Sequence, residues 1–218
     1  MVEIITFAES GVDGGAQRLE RAIAAVIDAG RKASSHHWVP ATSGNFSVRI
    51  DESTIAITRS GTDKGELTRD DVLIVDLSAP DPRASAEAPL HYALYRDFPS
   101  VNAVFHVHSP SAAVLPSVLT ADTVWLSGWE LQKAFAGVHS HETEVEVPVF
   151  PNDQDTVRLA ALASKRFAGQ DRSQLAPGYV IAGHGLYAWG TSPEEAWRHT
   201  EALETLLTYQ LDQERLRA

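Results

Sequence analysis

The chain of 218 residues contains no cysteine. That excludes disulfides, thiolate metal sites and a cysteine nucleophile, so any bound metal would sit on histidine and carboxylate. Basic residues are the second shortage: 18 Lys and Arg stand against 29 Asp and Glu, a formal net charge of −11. Nucleic acid and anionic membranes need a basic patch, so neither is expected as a partner. A phosphorylated small molecule stays open, because backbone N–H groups and one or two cations can hold a single phosphate locally. Nowhere do about eighteen apolar residues follow one another, and the stretch Met1 to Thr6 lacks a basic lead. The expectation is a soluble, cytoplasmic protein. Repeats, low-complexity tracts and linkers are missing too, and the length suits one domain with its own core.

What is present centres on Ala103-Val104-Phe105-His106-Val107-His108. As a strand it puts Val104, His106 and His108 on one face and Ala103, Phe105 and Val107 on the other, one face in the core and one presenting two imidazoles. Two neutral imidazoles about 7 Å apart along a strand can both turn toward one divalent ion. The alternative is two unrelated histidines. Ser109-Pro110 then reads as the N-cap and first-turn proline of a helix to about Leu119.

Residues 1–15 read as a loose arm, and 16–218 as a single catalytic domain. The stripe Leu19, Ile23, Val26, Ile27 predicts a helix over 16–35 whose end Gly30 loosens. Phe46–Ile50 and Ile55–Thr58 alternate as a hairpin, and Val72–Val75 is an apolar strand expected to be buried on both faces. Ser85 is expected to cap a helix over about 86–98, with Pro89 in its first turn. Val145, Val147 and Val149 alternate as a strand with one exposed face, which Pro148 marks as an edge. Asp155 caps a helix to about Phe167. Tyr179–Ala182 and Leu186–Trp189 are strands around Gly183-His184-Gly185, and Ser192-Pro193-Glu194-Glu195 opens a last helix to about Leu216. The class is α/β, a central sheet with a large antiparallel component covered by helices on both faces.

Three further groups carry candidate chemistry. His184, between two glycines at a strand end, is either a third metal ligand or a turn histidine. Glu87 opens the helix that feeds the histidine strand; it is a fourth ligand, an acid/base, or an acid favoured by the helix dipole. Glu130 lies between Trp129 and Leu131, a setting that raises a carboxyl pKa toward general-base use if it is apolar and leaves it ordinary if it is a solvated face. For phosphate, Ser43, Gly44 and Asn45 before the hairpin and Ser60, Gly61 and Lys64 after it should share one end, with Ser85 nearby. His139 and His141 read as a solvated strand end, His36 and His37 as lining the mouth of the first loop, and His91 and His199 as helix-face residues. The five tryptophans read as core and interface.

In this order, Thr42-Ser43-Gly44-Asn45-Phe46-Ser47, Ser60-Gly61-Thr62, Ser85-Ala86-Glu87, His106-Val107-His108 and Gly183-His184-Gly185 resemble the class II aldolase/adducin superfamily. Within it, the segments Gly128 to Phe135 and Val147 to Asp155 look most like the methylthioribulose-1-phosphate dehydratases of methionine salvage. The resemblance implies a three-layer α/β/α fold on a mainly antiparallel sheet and a homotetramer with sites at subunit interfaces. It also implies one zinc per subunit on His106, His108 and His184. In aldolase relatives the position of Glu87 binds metal and moves protons; in dehydratase relatives the position of Glu130 carries the base. Ala86 departs from aldolases, which often have a second serine for phosphate there. The implied activity is zinc-dependent dehydration of a ketose 1-phosphate. Its rivals are aldol cleavage of a ketose 1-phosphate such as fuculose or rhamnulose 1-phosphate, and a non-catalytic adducin-like interaction role.

Overall fold

The computed structural model describes residues 12–169 and 172–217. Eight strands form the sheet: β1 (Asn45–Arg49), β2 (Thr54–Thr58), β3 (Val72–Asp76), β4 (Ala103–Val107), β5 (Thr123–Leu126), β6 (Val145–Phe150), β7 (Gly178–Ile181) and β8 (Gly185–Gly190). Five helices accompany them: α1 (Val12–Ser35), α2 (Ala88–Asp97), α3 (Pro110–Leu119), α4 (Thr156–Phe167) and α5 (Pro193–Arg217). The strand order is β3-β2-β1-β4-β8-β7-β6-β5, and every pairing is antiparallel except β6 with β7. The expected mainly antiparallel sheet is therefore present.

Side-chain alternation sorts the core into two layers. Phe46, Val48, Phe105, Val107, Leu186 and Ala188 meet α1, α3 and α5 on one face. Ile55, Ile57, Val104, Tyr187 and Trp189 meet α2 and α4 on the other. β4 lies in the middle of the sheet, so both of its faces are buried and the histidine face is no solvent-facing surface. His106 instead stands under α2, in the second layer, opposite Tyr187 of β8.

Several local expectations are corrected. α1 begins at Val12, inside the expected loose arm, because Gly14 and Gly15 weaken a helix by about 1 kcal/mol each without stopping it; residues 1–11 lie outside the described residues. Gly30 does not loosen a helix end. It sits inside α1, where a Cβ would lie 2.3 Å from the Lys64 carbonyl oxygen, so it lets the second loop pack onto the helix. Ile74 is 45 % exposed because β3 is an edge strand and α1 lies mainly over β1 and β2. β6 is an interior strand with Val145 and Val147 buried, and Pro148 sits opposite Thr123 of β5. The neighbouring Val149 N–H makes the bond on that side, to Asp122 O at 2.8 Å, so the proline interrupts no bond to β5 there.

α2 starts at Ala88, two residues later than expected. Ser85 is not its cap: the Ser85 hydroxyl accepts from Glu87 N–H (3.2 Å) and its carbonyl from Ala88 N–H (2.9 Å), a turn that sets Glu87 at the N-cap position. Ser109 does cap α3 and Asp155 caps α4, each accepting an N–H three residues on. No described helix is long and apolar enough to cross a membrane.

Candidate metal centre and active site

Three elements end at one point. His106 occupies β4 and stacks on Tyr187, ring centroids 4.1 Å apart. Its Nδ1–H donates to Leu186 O at 2.9 Å, which fixes the tautomer and leaves the Nε2 lone pair free. His108 follows the strand, its backbone N–H held by Trp38 O at 2.7 Å. His184 sits in the β7–β8 turn, with Nδ1 against Asn152 Oδ1 at 3.3 Å. The turn lies so close to β4 that a Cβ on Gly185 would be 2.1 Å from Val107 O, and only glycine fits.

The three Nε2 atoms converge. His106 and His108 are 2.8 Å apart and His108 and His184 3.2 Å apart. Glu87 closes the group, with Oε1 2.7 Å from His184 Nε2 and Oε2 3.4 Å from His106 Nε2. One ligand atom from each of the four lies within 4.8 Å of every other. Three imidazoles and a carboxylate make a borderline-soft N/O donor set, and their converging lone pairs repel unless a cation or proton lies among them. The residues present thus fit a divalent metal.

The electrostatics agree. Burial pushes the His106 pKa well below its ordinary value, and burial with the neighbouring His184 pushes His108 down to about 4, so both rings are neutral at pH 7 as ligands must be. Burial works to raise the Glu87 pKa. Hydrogen bonds from the His184 ring and the Asn45 amide outweigh it and hold the carboxylate well below its usual range. Glu87 is therefore ionised, a ligand or proton acceptor and no proton donor.

The two loops meet as expected. Buried Lys64 is not a free point charge: its Nζ donates to Thr42 O (2.8 Å) and Thr62 O (2.7 Å), tying one loop to the other. Ala41, Thr42 and Gly44 all have positive φ, a strained run for two non-glycine residues. The buried Ser43 Oγ has no hydrogen-bond partner among the described residues. Ser60 and Gly61, in the loop after the hairpin, are exposed, and Ser85 reaches the group through Asn45 Nδ2 at 3.2 Å. The Asn45 amide is engaged elsewhere, donating to Glu87 Oε2 at 2.6 Å and accepting from His91.

Glu130 is not in the cluster. It opens the 3-10 turn Glu130–Ala134, its side chain is 74 % exposed, and it pairs with Lys133 Nζ at 2.7 Å. That hydrogen bond holds its pKa below the ordinary value, contrary to the apolar setting expected from its neighbours. Trp129 turns away to pack on Tyr209, ring centroids 5.0 Å apart, which leaves the carboxylate in solvent.

His91 and His199, read as helix-face residues, are both buried. His199 Nδ1 donates to Trp189 O at 2.7 Å. His91 lies under the site, and a signal for it existed: Glu87 and His91 are four apart, one face of one helix. His139 and His141 are exposed, in the loop before β6.

A family model described as Class II Aldolase and Adducin N-terminal domain matches residues 24–211. The chain is 56 % identical over 194 residues to a methylthioribulose-1-phosphate dehydratase of Bradyrhizobium sp. (strain BTAi1), covering 87 % of this chain and 90 % of that protein. It is 52 % identical over 205 residues to one of Parvibaculum lavamentivorans, covering 92 % and 98 %. Among solved structures, an L-fuculose-1-phosphate aldolase from Thermus thermophilus matches at TM-score 0.71 and 26 % identity, covering 93 % of this chain and 98 % of that one. A sugar-phosphate aldolase from Thermotoga maritima matches at TM-score 0.64 and 16 % identity, covering 91 % and 97 %, a likeness of fold alone. With its sheet, its histidine cluster and these matches agreeing, the chain belongs to the class II aldolase and adducin family.

Proposed function

We propose that this protein dehydrates 5-methylthioribulose 1-phosphate to 2,3-diketo-5-methylthiopentyl 1-phosphate, a step of methionine salvage, as a cytoplasmic homotetramer with one zinc ion per subunit. The supporting observation is the identity of 56 and 52 % to dehydratases along about nine-tenths of the chain. The metal cluster alone does not choose, because aldol cleavage and dehydration both pass through an enediolate.

His106, His108 and His184 hold the ion, with Glu87 as fourth ligand. A zinc ion there supplies Lewis-acid stabilisation of the charge that develops on the C2 and C3 oxygens. Ser43, Gly44, Ser60, Gly61 and Ser85 receive the phosphate; Lys64 holds their two loops in register, and Asn45 serves Glu87 instead. Glu130 is the base that takes the C3 proton, and it reaches the site of a neighbouring subunit rather than its own. Its exposure beside Tyr209 (40 % exposed), with which it lines one surface pocket, supports that arrangement, since aromatics are enriched at interfaces. The C3–H bond breaks and its electron pair forms the C2–C3 double bond of an enediolate; as the C2 carbonyl re-forms, the C3–C4 double bond forms and the C4–O bond breaks, and the hydroxyl leaves as water with the proton that Glu130 took from C3. The enol proton on O3 then moves to C4, giving the diketone. Ionised Glu87 does not supply the leaving group's proton.

Incubation with 5-methylthioribulose 1-phosphate and, separately, with fuculose 1-phosphate decides the reading. Diketone absorbance from the first with no aldehyde from either is expected. Aldehyde release without diketone overturns it in favour of the aldolase.

A further inference from the structure

Beneath Glu87 runs a line of buried polar side chains that the metal cluster does not use. Tyr95 Oη is 2.8 Å from Ser47 Oγ, and Ser47 Oγ is 2.7 Å from His91 Nδ1. His91 Nε2 is 2.5 Å from Asn45 Oδ1, and Asn45 Nδ2 is 2.6 Å from Glu87 Oε2. Asn45, Ser47, His91 and Tyr95 are all buried, and Asn45 stands opposite His106 in the β1–β4 register. These residues of β1 and α2 thus lead from the second core layer to the carboxylate of the site.

The direction of every bond follows from one end. The Asn45 NH2 group donates to Glu87 Oε2 at 2.6 Å and to Ser85 Oγ at 3.2 Å, so its Oδ1 is the atom that faces His91. His91 then carries its proton on Nε2, Nδ1 is a lone pair, Ser47 donates to it, and Tyr95 donates to Ser47. Burial keeps His91 neutral, pushing its pKa down to about 3. Reversing any member breaks the line. An Asn45 amide turned by 180° would set its oxygen against Glu87, and no other described group holds it from turning except His91 and the weaker Ser85 contact at 3.2 Å.

We infer that His91 is a positioning residue: through its Nε2–H it locks the Asn45 amide, and through Asn45 it fixes the orientation of the Glu87 carboxylate at the metal centre. Partners of this kind behind a metal site are worth about 10–100-fold in metal affinity or activity. The kinetic consequence rests on the function proposed above; the tautomer and the amide orientation do not.

The test uses the metal-loaded enzyme. Nitrogen-15 NMR of the histidine rings is expected to show His91 as the Nε2–H tautomer, with a signal that moves in Asn45→Ala. His91→Phe is expected to lower kcat about 10–100-fold with little change in KM. His91→Gln, which restores a donor near Nε2, is expected to recover most of that loss. A His91 ring protonated on Nδ1, or a folded His91→Phe with unchanged kcat, overturns the inference. If neither variant folds, the wild-type nitrogen spectrum still decides. If the proposed substrate is not turned over at all, the function fails while the nitrogen spectrum continues to judge His91.

Discussion

The close approach at Gly185 makes the metal centre vulnerable to a single methyl group. In Gly185→Ala the new Cβ would lie 2.1 Å from Val107 O, 3.1 Å from Val107 C and 3.2 Å from His108 Cα, whereas real Cβ contacts stay above 3.0 Å. The first of these alone demands a shift of about 0.9 Å (3.0 − 2.1) between two backbones, neither of which is a flexible side-chain end. One backbone carries His108 and the other His184. Metal–nitrogen bonds of about 2.0–2.1 Å tolerate roughly 0.2 Å, so the displacement is several times the tolerance. The expected outcome is a fold that survives with a loss of about 1–3 kcal/mol in stability and a metal affinity lower by at least about 10-fold. Bound metal after dialysis against a competing chelator, together with a thermal melt, measures both. Gly15→Ala in α1 is the control, because no described atom beyond its own stretch of helix lies within 4 Å of its Cβ, and it is expected to keep its metal. A Gly185→Ala protein that melts and retains metal like the wild type refutes the reasoning.

Two further outcomes are expected. If Glu130 acts in a neighbour's site, Glu130→Gln and His108→Ala are each inactive, and a refolded mixture regains activity at about one site in four by random pairing; a mixture as inactive as its components refutes action across the interface, and a fully active Glu130→Gln puts Glu130 outside the reaction. Glu204 on α5, buried with Ser111 Oγ donating to it at 2.8 Å, has its pKa raised by burial from 4.5 to about 7. The folded state therefore keeps a proton that the unfolded chain loses, and this group's contribution falls by about 3 kcal/mol as pH rises from about 4.5 to 7, with no further change above. Denaturant titrations across that window should show the slope in the wild type and a flatter dependence in Glu204→Gln; equal slopes would assign the effect elsewhere.

Much of the fold was legible because local chemistry and tertiary packing agree over most of it. Ser109-Pro110 and Asp155 are caps in sequence and in structure, and the hairpin of β1 and β2 follows its alternation. Where the reading failed, the missing information was a neighbour. Pro148 suggests an edge only if no strand lies beyond it, and β5 does. Gly30 resembles a helix terminator until the backbone of Lys64 is seen passing over it. Ser85 fits a cap by residue type, yet a turn bond to Ala88 delays the helix and leaves Glu87 at its N-terminus with a carboxylate free for the histidines.

The same distinction separates the parts of the site. The clustered histidines are legible because a metal would need those residue types, and His106, His108 and His184 stand in short, recognisable settings. A residue such as His91 reaches the cluster through Asn45 and acts by being a hydrogen-bond donor of fixed tautomer, so its type alone is indistinguishable from any helical histidine; only the spacing from Glu87 hints at it. Glu130 is the opposite case, conspicuous in sequence and absent from its own chain's cluster. Its carboxylate is exposed and paired with Lys133, a poor setting for a general base. In the proposed arrangement, seating it against a second subunit would exclude solvent and bring it beside the cluster that it does not join in its own chain, and the environment that tunes it would then be set by the interface and not by the segment that encodes it.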